Sequence, residues 1–112
     1  GIDEIRAVRK DFWENVFVPG GKDEMNQELE YAIRVADYLD LGELMCVDAL
    51  DRDESCGAHY REDHLDDEGE AKRDDDNWCF ISAWEPNGDE KFIRHSEPLY
   101  FDRIPLMTRN YK

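Results

Sequence analysis

Long apolar runs are what this chain most plainly lacks. None of 18 or more residues occurs among its 112 positions, so no segment reads as a membrane-spanning helix and no direct membrane insertion is expected. Basic residues are scarce too: 14 Lys and Arg stand against 29 Asp and Glu, a net charge of −15. That balance disfavours nucleic acid or an anionic membrane as a partner. Cys46, Cys56 and Cys79 are odd in number and share no C-x-x-C spacing. They read as reduced, partly buried thiols of a cytosolic compartment, neither a disulfide frame nor a zinc site. The opening Gly1-Ile2-Asp3 has no basic stretch before an apolar core, so no signal peptide is visible. It starts inside a helix-like pattern without Met, as an excised fragment would. Missing as well are a G-x-G-x-x-G turn, a nucleophile elbow and a P-loop. No catalytic, cofactor-binding or metal-ligating residue is therefore assigned to this chain.

What is present begins with helical periodicity. Ile2, Ile5, Val8, Phe12 and Val16 recur at spacings of three and four, which predicts an amphipathic helix ending before Pro19-Gly20-Gly21. Asp23 is the expected N-cap of a second helix that runs without proline to about Asp51. So short a connection makes the two helices antiparallel neighbours. The second helix carries apolar residues on more than one stripe. Leu29, Ala32, Ala36 and Leu39 form one; Ile33, Leu41, Leu44, Val47 and Leu50 spread onto neighbouring positions. One shorter helix cannot cover them all, so a third helix or a second copy is expected to complete the burial, and self-association is an expectation for the isolated chain.

Periodicity breaks over 53–76, which reads as an extended connection ordered only where something holds it. The surroundings are strongly acidic: residues 48–90 contain 16 acids and 4 bases, a local net of −12. Order resumes with an expected strand over Trp78–Trp84, a turn at Pro86-Asn87-Gly88-Asp89, a strand over Lys91–His95, and a third short strand over Leu99–Asp102 after Pro98. The fold class is thus α+β: an antiparallel helical hairpin, part of a helical bundle, then a small antiparallel β-hairpin. The expected division is 1–52 helical, 53–77 connection, and 78–112 β region and tail.

Within the acidic block, His59, Arg61, Glu62 and Asp63 are the residue types that would grip a dicarboxylate, because Arg offers a two-pronged fork to a carboxylate. The plainer reading is that Arg61 and Arg73 pair with nearby acids and fold the connection. Asp51, Asp53, Ser55 and Glu62 imitate a calcium loop, but its sixth position needs Gly and holds Cys56.

Three stretches carry a resemblance. They are Glu54-Ser55-Cys56-Gly57-Ala58-His59-Tyr60-Arg61-Glu62-Asp63 with Arg73-Asp74-Asp75-Asp76-Asn77-Trp78; Pro19 to Glu30 with Arg34 to Met45; and the ending Met107 to Lys112. Together they resemble the C-terminal region of the flavoprotein subunit of succinate dehydrogenase and fumarate reductase, closest to the bacterial branch with Cys at position 56. The resemblance implies a non-catalytic fragment, with no cofactor of its own. The parent would bind FAD, interconvert succinate and fumarate, and pass electrons through an iron–sulfur subunit, peripheral on the inner face of the cytoplasmic membrane. It also implies that His59, Arg61, Arg73 and Arg109 dock this region on the upstream flavin-binding domain. A reading of another class is a free-standing acidic helical interaction module.

Overall fold

The computed structural model describes residues 1–21, 23–88 and 91–107. The elements run α1 (Ile2–Asn15), α2 (Gln27–Asp51), α3 (Asp75–Trp78), β1 (Phe80–Pro86) and β2 (Phe92–Pro98). This is the α+β arrangement expected, with a helical hairpin ahead of a two-stranded antiparallel sheet. The chain divides into two compact units, Gly1–Asp51 and Arg52–Lys112.

In the first unit α1 stops earlier than its apolar pattern suggests. Val16 is extended at φ −64° and ψ 132°, because the β-branched Val16 and Val18 precede Pro19, which disfavours helical geometry in the residue before it. Asn15 Nδ2 donates to Asp11 Oδ1 at 2.8 Å across the last turn. The start of α2 also differs from expectation. Asp23 is exposed and does not cap the helix. The cap is Asn26, whose Oδ1 accepts from the Leu29 N–H at 3.2 Å and whose Nδ2 donates to the Pro19 carbonyl at 3.0 Å. One side chain thus satisfies an orphan helix donor and ties the end of the loop to its beginning. Gly20, at φ 113°, lies against that amide, and a Cβ there would come within 2.6 Å of Asn26 Nδ2. The turn therefore requires glycine.

The α1–α2 contact is thin in apolar burial and rich in charge. Ala36 is the one buried apolar residue among those described, and Glu43 is 1% exposed. Arg6 Nε donates to Glu43 Oε1 at 2.7 Å, and Arg9 Nη1 donates to Glu43 Oε2 and, at 3.1 Å, to Asp40 Oδ1. An Arg–Glu–Arg clamp at spacings of 37 and 34 residues sets the helix register. Such a clamp specifies more than it stabilises, since desolvating the charges offsets most of their attraction.

In the second unit the sheet pairs β1 with β2 from Phe80↔Pro98 to Pro86↔Phe92. Asn87 and Lys91 close the hairpin, with Gly88 at φ 58°. Phe80, Ser82 and Trp84 alternate as the half-buried face of β1. Trp78 belongs to α3 and not to the strand. Asp74 caps that turn by accepting from the Asn77 N–H at 3.3 Å and from Asn77 Nδ2 at 2.8 Å, which holds Trp78 helical. The expected third strand is absent from Leu99–Asp102. Leu99 N–H bonds once to the Cys79 carbonyl at 3.1 Å, and Pro98, lacking an N–H, directly precedes it. Beyond this bond the chain bends with no backbone pairing to another described residue.

Candidate functional site

The site grows from the place where helical periodicity ends. Leaving α2, Arg52 turns back and donates through Nη1 to Glu54 Oε1. The other oxygen, Oε2, accepts from the Asp74 backbone N–H at 2.9 Å. Glu54 is 3% exposed and Ser55 is fully buried. Ser55 Oγ donates to the Arg61 carbonyl at 3.1 Å and accepts from the Arg61 N–H at 2.8 Å; its own N–H donates to the Lys72 carbonyl at 3.1 Å. Two short polar side chains thus do for this segment what a helix or sheet ladder does elsewhere: they pair backbone groups that burial would otherwise leave unsatisfied.

Around this centre the segment folds on itself. Cys56 and His59 exchange backbone hydrogen bonds at 2.9 and 3.1 Å, with Gly57 at φ 60° making the reversal. A second reversal pairs Leu65 with Ala71, and Asp66 Oδ1 accepts from the N–H groups of Glu68 and Glu70 at 2.9 and 2.8 Å. The stretch is locally knit, and much of its acidic content is structural.

The candidate residues lie around it. His59 donates through Nε2 to the Arg52 carbonyl at 3.2 Å, a bond that holds the helix exit. Arg61 closes its fork on Asp63, with Nε and Nη2 at 3.0 and 2.7 Å from the two carboxylate oxygens. Its Nη1 reaches the Arg52 carbonyl at 3.2 Å and Asp53 Oδ1 at 3.1 Å. The Arg61 guanidinium holds the Asp63 carboxyl down at about 2, and the pair raises Arg61 in turn. Arg73 does the same with Asp75, at 2.9 and 2.6 Å, which raises Arg73. Its Nη1 donates to the Met107 carbonyl at 3.3 Å, 34 residues away. His59 and Arg61 therefore converge on one carbonyl, whereas Arg73 clasps the chain's last described residue. Arg109 lies outside the described residues. With both forks closed on their own aspartates, neither Arg61 nor Arg73 presents the open bidentate face a substrate carboxylate needs.

A cleft of about 570 Å³ opens beside this centre, lined by Asp53, Asp63, His64, Leu65 and Lys72 to Asp76. His64 Nε2 lies 2.8 Å from Asp53 Oδ1. Among the described residues no three His, Cys, Asp or Glu side chains converge to hold a metal ion. Arg94 lies over Trp78 and Phe80 at 5.2 and 5.1 Å, and Arg52 lies over Trp78 at 5.7 Å. These cation–π contacts link the helix exit to the hairpin.

Reading the sequence by residue type pointed to the arginines and missed Arg52, Glu54 and Ser55, which form the buried centre. A signal was there: a Glu-Ser pair directly after the last helical position, where a backbone leaving a helix needs side-chain partners.

Among the described residues no helix is long and apolar enough to cross a membrane. Comparison with curated proteins gives no match. A family model described as "Fumarate reductase flavoprotein C-term" matches residues 1–111, covering both units, the Glu54–Ser55 centre and the hairpin. The chain belongs to the C-terminal family of the fumarate reductase and succinate dehydrogenase flavoprotein.

Proposed function

We propose that this chain is the non-catalytic C-terminal portion of a succinate dehydrogenase or fumarate reductase flavoprotein subunit of the bacterial branch with Cys at position 56. The parent subunit interconverts succinate and fumarate on FAD and hands electrons to an iron–sulfur subunit, on the inner face of the cytoplasmic membrane. The observation that carries the reading is the family match over residues 1–111. The residues present do not fit FAD. A dinucleotide needs a parallel strand–turn–helix with its Gly-rich turn, and the strands described here form an antiparallel hairpin. No residue of the chain is assigned to the flavin, and no chemical step is derived through it.

In this reading the chain's part is to brace the upstream flavin-binding domain. His59, Arg61 and Arg73 shape the surface that docks there by fixing the helix exit and the Met107 carbonyl, and Arg109 is a further docking residue. Their role is positional. The test compares the purified chain with the full subunit. The chain alone is expected to show no flavin absorbance near about 450 nm, a property of the isoalloxazine ring, and no succinate–fumarate turnover. Arg61→Ala in the full subunit should lower flavin retention. Flavin bound by the chain alone, or retention unaltered by Arg61→Ala, would defeat the reading.

A further inference from the structure

The described asparagines are Asn15, Asn26, Asn77 and Asn87, and the fold treats the last of them differently. The others have their side-chain amides occupied. Asn15 Nδ2 donates to Asp11 Oδ1, and Asn77 Nδ2 donates to Asp74 Oδ2. Asn26 is held at both ends, by the Leu29 N–H and the Pro19 carbonyl. The backbone N–H that follows an asparagine matters as much, because that nitrogen can reach back to the side-chain carbonyl carbon. After Asn15 and Asn77 it is engaged: Val16 N–H donates to the Phe12 carbonyl at 2.9 Å, and Trp78 N–H to the Asp74 carbonyl at 2.8 Å.

Asn87 is exposed, and its side-chain amide bonds to no described residue. Its own N–H donates to the Lys91 carbonyl at 2.9 Å, which anchors one side of the turn. The Gly88 carbonyl accepts from the Lys91 N–H at 2.9 Å, whereas the Gly88 N–H donates to no described residue. Gly88 stands at φ 58°, and a Cβ built there would meet nothing within 4 Å. Neither a side chain nor a packed neighbour therefore obstructs the space around the Gly88 nitrogen. Nucleophile and carbonyl carbon belong to adjacent residues, so their encounter needs no second molecule.

We propose that Asn87-Gly88 is a site of spontaneous deamidation. The Gly88 nitrogen gives up its proton to solvent and attacks Asn87 Cγ. A bond forms between Gly88 N and Asn87 Cγ, the bond from Cγ to Nδ2 breaks, and Nδ2 takes a proton and leaves as ammonia. Water then opens the cyclic imide, placing its hydroxyl on one carbonyl carbon and a proton on the Gly88 nitrogen. Opening at Cγ leaves aspartate in the normal linkage. Opening at the backbone carbonyl carbon leaves an isoaspartyl linkage, in which the main chain runs through Cβ. In sum, an amide and water become a carboxylic acid and ammonia, and nothing is oxidised or reduced. Either product adds a negative charge to a chain already at −15. The aspartyl product keeps the backbone that lets Lys91 bond to both Asn87 and Gly88. The isoaspartyl product inserts a methylene between those two residues, so the closing end of the hairpin must shift. The inference is independent of the flavoprotein reading.

The test incubates the purified chain in mildly alkaline buffer, both folded and unfolded in urea, and follows each asparagine by peptide mass spectrometry with fragmentation. In the folded chain Asn87 should convert at least about tenfold faster than Asn15, Asn26 or Asn77, a barrier lower by about 1.4 kcal/mol. Two products of equal mass and different chromatographic retention should form, at a rate that rises with pH because the attacking nitrogen must first lose its proton. Asn87→Gln, whose longer side chain disfavours ring closure, should remove the change at that position. Conversion of Asn87 in urea but not in the folded chain would overturn the proposal, because the hairpin would then hold Cγ away from the Gly88 nitrogen. So would conversion of Asn15, Asn26 or Asn77 in the folded chain as fast as Asn87, or a change that persists at the same rate in Asn87→Gln.

Discussion

Among the described residues each unit of this chain buries one glutamate against arginine, and the two carboxylates do different work. In the helical unit, Glu43 joins elements whose backbones are already satisfied, and Arg6 and Arg9 reach it across 37 and 34 residues to set register. In the second unit, Glu54 is itself part of the backbone pairing. One oxygen takes a neighbouring arginine and the other takes the Asp74 N–H. A clamp between helices can be exchanged for apolar packing; a carboxylate that replaces missing secondary structure cannot. The contrast shows why a buried charge must be judged by what its other oxygen holds.

The sharpest break in that contrast comes from Glu54→Ala. It strands Arg52 and the Asp74 N–H, and removing one partner of a buried ionic pair costs about 3–5 kcal/mol. Denaturant unfolding should show the loss in the signals of Trp78 and Trp84, while the far-ultraviolet signal of α1 and α2 persists. Loss of the helices at the same denaturant concentration would show that the units do not unfold separately.

Glu43 should behave otherwise. Glu43→Ala alone should cost about 2 kcal/mol, below the range for Glu54→Ala, because Arg6 and Arg9, 29% and 20% exposed, can turn to water as Arg52 can at 22%, and no backbone N–H such as that of Asp74 is stranded with them. The triple change Arg6→Leu, Arg9→Leu, Glu43→Leu should restore or exceed the original stability, as apolar replacements of buried ion clusters often do. If the triple variant is as unstable as the single one, the clamp contributes more than register.

Ser55→Ala tests the same centre more gently. Its hydroxyl pairs both backbone groups of Arg61, so removal should cost about 1–3 kcal/mol, read as a shift in denaturation midpoint and as faster hydrogen exchange at the Arg61 amide. On the helical side Gly42→Ala should do the reverse. The new Cβ would lie 3.5 Å from Ile5 Cδ1, an ordinary contact, and alanine in a helix interior gains about 0.5–1 kcal/mol over glycine.

The smallest effect concerns acid. Arg61 depresses the Asp63 carboxyl from an ordinary 3.8 to about 2. A carboxyl lowered in the folded state stabilises above its unfolded pKa, and that contribution fades as pH falls through the folded value. The pair should therefore be fully effective above about pH 4 and lost on approaching pH 2. Because the pair is exposed, a side-chain titration followed by nuclear magnetic resonance is the fitting measurement. Arg61→Ala should return Asp63 to the ordinary range.

The helices, the hairpin and their order were legible because each rests on local signals. Apolar spacing of three and four marks α1 and α2, and Pro86-Asn87-Gly88 marks the turn. The boundaries were less so. Asn26 outcompetes Asp23 as cap because it also reaches the Pro19 carbonyl, a contact visible only once the loop has closed. Trp78 fits a strand by composition, yet Asp74 holds it in a helical turn. Leu99–Asp102 has strand-like residues but, past a single bond to Cys79, no backbone pairing with another described residue.

The candidate site divides the same way. Residue types alone singled out His59, Arg61 and Arg73, because a cation inside an acidic block draws the eye. Their charge, their acidic neighbours at short spacing and the glycine reversal at Gly57 are properties of the sequence by itself. That Glu54 and Ser55 are the buried centre, that His59 and Arg61 meet at the Arg52 carbonyl, and that Arg73 reaches Met107 were decided only by tertiary structure. Spacing of a few residues constrains a side chain's neighbours through covalent reach. A pairing across 20 or 34 residues, such as Glu54 with Asp74 or Arg73 with Met107, follows only from how the intervening backbone satisfies its own hydrogen bonds.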